Sequence, residues 1–101
     1  MRESAVERYL HDEFVKLGGT TRKWVSPGRV GVPDRICILP MGRIYFVEVK
    51  TDTGKMTMRQ DREAESLKVL GCKVFTVWGV KGVNQLIWAI THPEEHYVDV
   101  S

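Results

Sequence analysis

The stretch that most constrains the fold is residues 31–50, GVPDRICILPMGRIYFVEVK, in which a short turn containing glycine separates two apolar runs. Both runs are rich in β-forming side chains, so they predict two antiparallel strands joined as a hairpin. Asp34 precedes the first strand, and Glu48 and Lys50 lie at the end of the second. Because a buried charge costs free energy unless it is paired or bound to a metal, these three residues require a structural or functional explanation.

The length of the turn decides whether the three charged side chains can meet. Glu48 and Lys50 are two residues apart on a strand, so they point to the same face. A three-residue turn, Met41 to Arg43, places Asp34 opposite Lys50 on that face, where neighbouring Cβ atoms are about 5 to 8 Å apart. A turn of two or four residues would place Asp34 on the other face, unless Pro33 bends the chain before the pairing begins.

Apolar periodicity, capping signals and glycines predict the other elements. We predict, in chain order, a helix over 4–17, a short edge strand over 20–25, a loop over 26–31, hairpin strands over 36–39 and 44–50, a helix over 57–70, a strand over 73–78 and a helix over 83–90. The strand–helix–strand connection should make the second hairpin strand and the last strand parallel. The predicted fold class is therefore α/β, with a small mixed sheet (antiparallel hairpin plus parallel crossover strand) flanked by helices. At 101 residues we expect a single domain, 1–101.

Composition narrows the class of protein without identifying it. Apolar residues make up 43% of the chain and charged residues 28%, as in ordinary globular proteins. No segment approaches the roughly 20 apolar residues that a bilayer requires, so we expect a cytoplasmic protein with no membrane partner. The net charge of +2 is compatible with nucleic-acid binding. Cys37 and Cys72 lie in or near apolar strand patterns, which predicts two reduced, buried thiols.

Two carboxylates and an ammonium group at one point suit a particular chemistry. Carboxylate oxygens are the ligands that Mg²⁺ and Mn²⁺ prefer, and a lysine beside the metal can hold or activate a water molecule. Phosphodiester hydrolysis uses such a set of groups. The structural alternative is a surface ion pair between Lys50 and Glu48 or Asp34, which would contribute roughly 0 to 1 kcal/mol.

Pro33-Asp34, followed after thirteen residues by Glu48-Val49-Lys50, resembles the PD-(D/E)xK nuclease signature. The surrounding GVPD, the preceding Ser26-Pro27-Gly28-Arg29 and Gln60 at the start of a helix resemble more narrowly the VRR-NUC branch, in its small standalone form typical of phages and prophages. The resemblance implies a restriction-endonuclease-like α/β/α core. It also implies a phage- or prophage-encoded protein that acts in the cytoplasm of a bacterial host.

The resemblance further implies roles for individual residues. Asp34 and Glu48 would ligate the Mg²⁺ or Mn²⁺ ion, and the Val49 carbonyl would be a third ligand. Lys50 would activate the water, and Gln60 would contact the site or its water as part of the catalytic set.

The family also draws an acidic residue from the first helix, and two residues match this position. Glu7 resembles the helix glutamate of archaeal junction resolvases of the same superfamily, whereas Glu3, one turn earlier, also fits the VRR-NUC pattern. Glu7 and Gln60 each have a structural alternative as well. They lie at the third helical position after Ser4 and Thr57, where their side chains could complete capping boxes.

Basic residues lie on both sides of the proposed site in sequence, which predicts a basic rim that contacts DNA phosphates. The residues assigned to DNA binding are Arg22, Lys23, Arg29 and Lys55, with Arg35, Arg59 and Arg62 as further members of the rim. No pattern resembles a base-reading helix, so recognition should depend on DNA shape and phosphates.

Residues 79–82 lack the spacing of a phosphate-binding loop, so no nucleotide cofactor is expected.

These observations predict a metal-dependent, structure-selective DNA endonuclease acting on branched or Holliday-junction-like DNA. Small standalone members of the family are expected to form homodimers, which would present two sites to a branched substrate. An exposed apolar face on the third helix, with Trp88, is a candidate dimer contact. The alternatives are a non-catalytic nucleic-acid-binding module with the same fold and, less favoured for so short a chain, a restriction-type enzyme with base specificity.

Overall fold

The computed structural model describes residues 1–93 and contains a four-stranded sheet with helices on both faces. The elements in chain order are α1 (Glu3–Lys16), β1 (Thr20–Lys23), β2 (Arg35–Leu39), a short 3-10 turn (Pro40–Gly42), β3 (Arg43–Lys50), α2 (Met58–Val69), β4 (Val74–Trp78) and α3 (Gly79–Thr91). The strand order is β1-β2-β3-β4, with β1, β2 and β3 antiparallel and β4 parallel to β3. The predicted α/β class and mixed sheet are confirmed.

Within the described part of the chain, no helix has the length and apolar character needed to cross a membrane.

The core lies between α1, α3 and one face of the sheet. Val6, Leu10 and Phe14 recur every four residues on α1, so they form one apolar stripe, and all three are fully buried. They pack with core-facing valines of β3 and with Val83 and Leu86 of α3. This stripe supplies the apolar periodicity from which a helix over 4–17 is predicted.

Strand β3 presents different side chains to its two faces, because successive residues of a strand point in opposite directions. Tyr45, Val47 and Val49 belong to the core beside α1, whereas Phe46, Glu48 and Lys50 lie on the opposite face, which α2 covers. Glu48 is only 3% exposed and Lys50 only 9%. The strand therefore carries two buried charged groups toward α2.

The hairpin turn has the odd length that the proposed site requires, but it lies one residue earlier than predicted. Leu39 pairs with Arg43, so the turn comprises Pro40–Gly42 rather than Met41 to Arg43. Met41 and Gly42 adopt positive φ angles of 69° and 71°, which reverses the chain before Arg43 resumes an extended conformation. Continuing the register beyond its last pair places Asp34 opposite Glu48, not opposite Lys50. The face of Asp34 is nevertheless preserved, because the shift is by two residues.

All three predicted helix starts differ from the observed ones, that of α2 by one residue because Thr57 is its N-cap. Helix α1 begins at Glu3, with Arg2 as an N-cap that makes no side-chain capping bond, so the Ser4–Glu7 capping box was wrong. Helix α3 begins at Gly79 rather than Val83. Gly82 lies inside this helix, and a Cβ at this position would lie 3.1 Å from the Val77 backbone carbon. Its missing side chain thus allows α3 to pack closely against β4.

Gly31 joins the loop before β2 to the first turn of α2. Its φ angle is +90°, and a Cβ placed on it would lie 2.8 Å from the carbonyl oxygen of Arg59. Any larger residue would therefore strain the backbone and push the loop away from α2. A Cβ placed on Gly28, in the same loop, would have no neighbour within 4 Å, so Gly28 provides a matched control.

We predict that Gly31→Ala lowers the free energy of unfolding by about 1 to 3 kcal/mol, because it adds both strain and a steric clash. Gly28→Ala should change it by less than about 0.5 kcal/mol. Urea denaturation of both variants measures the difference. Equal midpoints for the two variants would show that the loop does not depend on the contact at Gly31.

Candidate active site

Glu48 lies at the centre of a set of polar contacts on the α2 face of the sheet. The Lys50 Nζ atom lies 3.5 Å from Glu48 Oε2, and Gln60 Nε2 donates a hydrogen bond of 3.0 Å to the same oxygen. One oxygen of this buried carboxylate thus has two donors, one from its own strand and one from α2. The structure brings together three of the residues that the sequence predicted.

Gln60 makes the predicted capping contacts and, through its side-chain nitrogen, also contacts Glu48. The Thr57 hydroxyl accepts from the Gln60 backbone N–H at 3.1 Å, and Gln60 Oε1 accepts from the Thr57 backbone N–H at 3.0 Å, which completes the predicted capping box. This second bond fixes the orientation of the Gln60 amide. Because the oxygen is turned to the helix end, the amide nitrogen is turned to Glu48.

Asp34 lies just before β2, beyond the last residue pair of the hairpin, and its side chain is hydrogen-bonded to the end of β3. Its Oδ2 accepts from the Val49 backbone N–H at 2.7 Å. The pKa of Glu48 is raised from 4.5 to about 8, first by burial and then by the negative charge of Asp34 and a hydrogen bond with it, while Lys50 acts in the opposite direction. The two carboxyl groups therefore interact directly, as expected of side chains on one face.

Asp34 also belongs to a second acidic group, formed with α1. Carboxylate oxygens of Glu3, Glu7 and Asp34 all lie within 4.8 Å of one another. Glu3 and Glu7 are four residues apart on the helix, so both side chains are directed to the same place. The structure thus brings both candidate helix acids to Asp34, and Asp34 links this group to Glu48.

Glu7 is held by basic residues rather than by a capping interaction. Arg35 Nε donates to Glu7 Oε1 at 3.0 Å, and Lys23 Nζ lies 3.9 Å from the same oxygen. Glu7 is 8% exposed, so these partners offset the cost of burying its charge. The role of Arg35 at Glu7 was not anticipated, since its sequence signal, a position next to Asp34, does not specify a partner on α1.

The donor set of this site is chemically uniform. It consists of carboxylate oxygens from Glu3, Glu7, Asp34 and Glu48, which are hard ligands that suit Mg²⁺ or Mn²⁺. Burial and then the charge of Asp34 raise the pKa of Glu48, and a divalent cation among these carboxylates would oppose both effects. The arrangement fits a hard divalent cation better than a softer metal that prefers sulfur or nitrogen ligands, because no cysteine or histidine belongs to the group.

Comparison with known proteins identifies the family. A solved structure named "VRR_NUC domain" superposes with a TM-score of 0.80 and 43% sequence identity, covering 84% of this chain and 92% of that chain. A protein of Acyrthosiphon pisum secondary endosymbiont phage 1, named "Putative nuclease p44", is 47% identical over 77 residues, which are 76% of this chain and 83% of that protein. The chain belongs to the VRR-NUC family. A second structure, "VRR_NUC domain protein", has a TM-score of 0.69 at 16% identity over 87% of this chain and 86% of that chain, and supports the fold alone. No family model matches the chain.

Most of the residues that the sequence assigned to DNA binding have partners within this VRR-NUC chain. Arg22 donates to the Thr20 hydroxyl and the Thr21 carbonyl, Lys23 pairs with Glu7, and Arg29 Nε donates to Glu63 Oε1 at 2.7 Å. Lys55 is exposed in the loop between β3 and α2. Sequence reasoning missed Glu63, although it lies three residues after Gln60 and hence on the same side of α2.

The two cysteines of this VRR-NUC chain lie outside the acidic site. Both are free, as predicted, and burial raises the pKa of the Cys37 thiol to about 12. Such a thiol is a poor nucleophile at neutral pH. Cys72 is only partly buried, so the prediction of two buried thiols was correct for Cys37 alone.

We predict that Glu48 makes the metal-free protein less stable as the pH rises. Since the pKa of Glu48 is about 8 in the folded chain and 4.5 is its ordinary value, the folded state binds the proton more tightly. The resulting stabilisation is present below about pH 4.5 and is lost as the pH rises through 8. Glu48→Gln removes this contribution, so the variant should lose less stability than the wild type over that range.

Urea denaturation in EDTA at several pH values measures the effect. Glu65→Gln, which removes an exposed carboxylate from α2, is the control and should follow the wild-type pH profile. Parallel profiles for the Glu48→Gln variant and the wild type would contradict the prediction.

Proposed function

We propose that this chain is a Mg²⁺- or Mn²⁺-dependent, structure-selective endonuclease that hydrolyses phosphodiester bonds in branched or Holliday-junction-like DNA. The observation that carries the proposal is the buried Glu48, with Lys50 at 3.5 Å and Asp34 beside it. Membership of the VRR-NUC family and similarity to a phage protein named as a nuclease support the same conclusion.

The proposed metal ligands are Asp34, Glu48 and the carbonyl of Val49, with Glu7 or Glu3 from α1 completing the oxygen set. When bound, the cation supplies neutralisation of phosphate charge and a water of lowered pKa. Asp34 is the residue common to both acidic groups, so it is the ligand on which the site depends most. Its bond from Val49 N–H holds one carboxylate oxygen in place.

Lys50 is proposed to position the attacking water and to stabilise the charge that develops on phosphorus-bound oxygens. Its side chain is 11% exposed, so bulk water screens its charge little. Gln60 is proposed to keep the Glu48 carboxylate oriented, because its own amide is fixed by the capping box. Arg35 and Lys23 hold Glu7 and thus keep the α1 carboxylate near Asp34.

Selectivity for branched DNA and homodimer formation are further parts of the proposal. Within residues 1–93 the elements form one sheet with three helices, and none of them stands apart as a separate base-reading unit. Trp88 on α3 is 46% exposed and stacks on His92, and β4 is one of the two edge strands of the sheet. These features support an interface between two copies that would present two sites to one junction.

We predict that Asp34→Asn and Lys50→Ala each reduce the rate of DNA cleavage at least about 100-fold, because each removes a charged group from the reacting centre. Lys68→Ala, which removes an exposed positive charge far along α2, should cleave at the wild-type rate. Rates are measured on a four-way junction, a flap and a linear duplex with Mg²⁺ or Mn²⁺, and in EDTA.

Cleavage that survives EDTA or either substitution would refute the metal mechanism. DNA binding without cleavage by the wild type would favour the non-catalytic module. Equal rates on all three substrates would remove the proposed selectivity.

We also predict that Mn²⁺ stabilises the wild-type protein and not the Asp34→Asn variant. A ligand that binds only the folded state at 100 times its Kd contributes about 2.7 kcal/mol. Thermal unfolding with increasing Mn²⁺ at pH 8 measures the change in Tm. Asp61→Asn, on the exposed side of α2, is the control and should respond as the wild type does. An equal rise in Tm in the Asp34→Asn variant would place the ion elsewhere.

A further inference from the structure

A second charged feature lies beside the acidic site, between the loop that precedes β2 and helix α2. It is a cleft of about 290 Å³, which we name the arginine cleft, and it is lined by Gly28, Arg29, Val30, Arg59, Arg62 and Glu63. Three arginines and one glutamate thus line the same cleft. All of these residues except Glu63 are exposed, so the cleft is open to solvent.

Glu63 fixes the position of Arg29 in this cleft. The Glu63 side chain is 8% exposed, and its Oε1 accepts from Arg29 Nε at 2.7 Å. An arginine has four further N–H groups on its two Nη atoms, and they make no hydrogen bond to another described residue. Arg29 is therefore held by one edge of its guanidinium group while the other donors remain accessible.

Arg59 and Arg62 have no such partner in the described part of the chain. Neither forms a salt bridge or a side-chain hydrogen bond with any of residues 1–93. They are three residues apart on α2, so they lie side by side along the helix. Two arginines at neighbouring positions of one helix surface, with no partners among residues 1–93, are suited to bind an anion with phosphate geometry.

The arginine cleft is adjacent to the acidic site. Gln60, which contacts Glu48, and Glu63, which holds Arg29, are three residues apart on one side of α2. Three helical residues rise about 4.5 Å, which corresponds to between one and two nucleotide steps of about 3.4 Å along a DNA strand. The close approach of Gly31 to the Arg59 carbonyl fixes the loop against this turn, so the cleft exists before any ligand binds.

We propose that the arginine cleft binds an internal backbone phosphate of the DNA strand, within a few nucleotides of the phosphate that is cleaved. Arg59 and Arg62 contact this phosphate directly, and Glu63 is a positioning residue that presents Arg29 to it. An internal phosphate fits better than a terminal one, because the cleft is open and lets a strand pass through it. This inference rests on the proposed function and identifies a substrate contact outside the metal site.

The test is DNA binding by the Arg59→Gln/Arg62→Gln variant. Each lost phosphate contact lowers the slope of log affinity against log salt by about 0.9, so two lost contacts lower it by about 1.8. Binding should therefore be roughly thirtyfold weaker at 0.15 M salt, with the difference vanishing towards 1 M. Fluorescence anisotropy in EDTA, with a junction and a duplex between 0.05 and 0.3 M NaCl (roughly the range over which such slopes are resolved), measures both quantities.

Lys68→Gln/Lys81→Gln is the matched control, since it also removes two exposed charges from helices α2 and α3. Its affinity should remain within about threefold of the wild type. Arg59→Lys/Arg62→Lys retains both charges, so its salt slope should return to the wild-type value. Circular dichroism and thermal unfolding establish that each variant is folded.

The proposal is overturned if the arginine variant and the control bind equally with equal salt slopes, or if the wild type has no measurable affinity for DNA. It is also overturned if the loss of affinity in the arginine variant occurs only with DNA that carries a 5′-phosphate, because the cleft would then bind a terminal group. Binding in EDTA requires no cleavage. If the arginine variant loses affinity but the wild type never cuts DNA, the proposed function is refuted and only phosphate binding by the arginine cleft is retained.

Discussion

The structure depends on the crowding of carboxylates at the end of β3. Glu48 is buried beside Asp34, and the pair is stabilised only in part by Lys50 and Gln60. Like charges in a protein interior raise the free energy of the folded state unless one is protonated or a cation lies between them. Two carboxylates held this close therefore lower the stability of the fold. Such a cost is expected where binding or catalysis requires the residues.

The rest of the fold serves to hold these groups together. Helix α1 supplies Glu3 and Glu7 from the core side, and the odd-length turn keeps Asp34 on the face of Glu48. Helix α2 supplies Gln60 from the opposite side, and its capping box fixes the amide. Side chains from helices on both faces of the sheet thus meet where β3 ends and the sheet no longer separates them.

The basic residues near the site form two groups, one paired with a carboxylate of the protein and one without such a partner among the described residues. Arg35 and Lys23 are bound to Glu7 and so compensate charge inside the protein, whereas Arg59 and Arg62 remain without partners among the described residues. The sequence could not distinguish these two groups, because all four residues lie in the same predicted basic rim. Partner choice depends on which side chains the tertiary fold brings within a few ångströms, and Glu7 is far from Arg35 along the chain.

The sequence by itself determined the elements, the parallel crossover and the set of residues at Asp34, Glu48, Lys50 and Gln60. Strand and helix periods follow from the order of apolar residues, and these four residues lie within one hairpin and the helix that follows it. Only the tertiary structure decided the register of the turn, the start of α3, and the meeting of Glu3 and Glu7 with Asp34. The reason is physical: the register depends on the positive φ angle of Met41, which the order of apolar residues does not specify. The start of α3 depends on the close packing of Gly82 against Val77, and the acidic group joins segments that are distant in the chain.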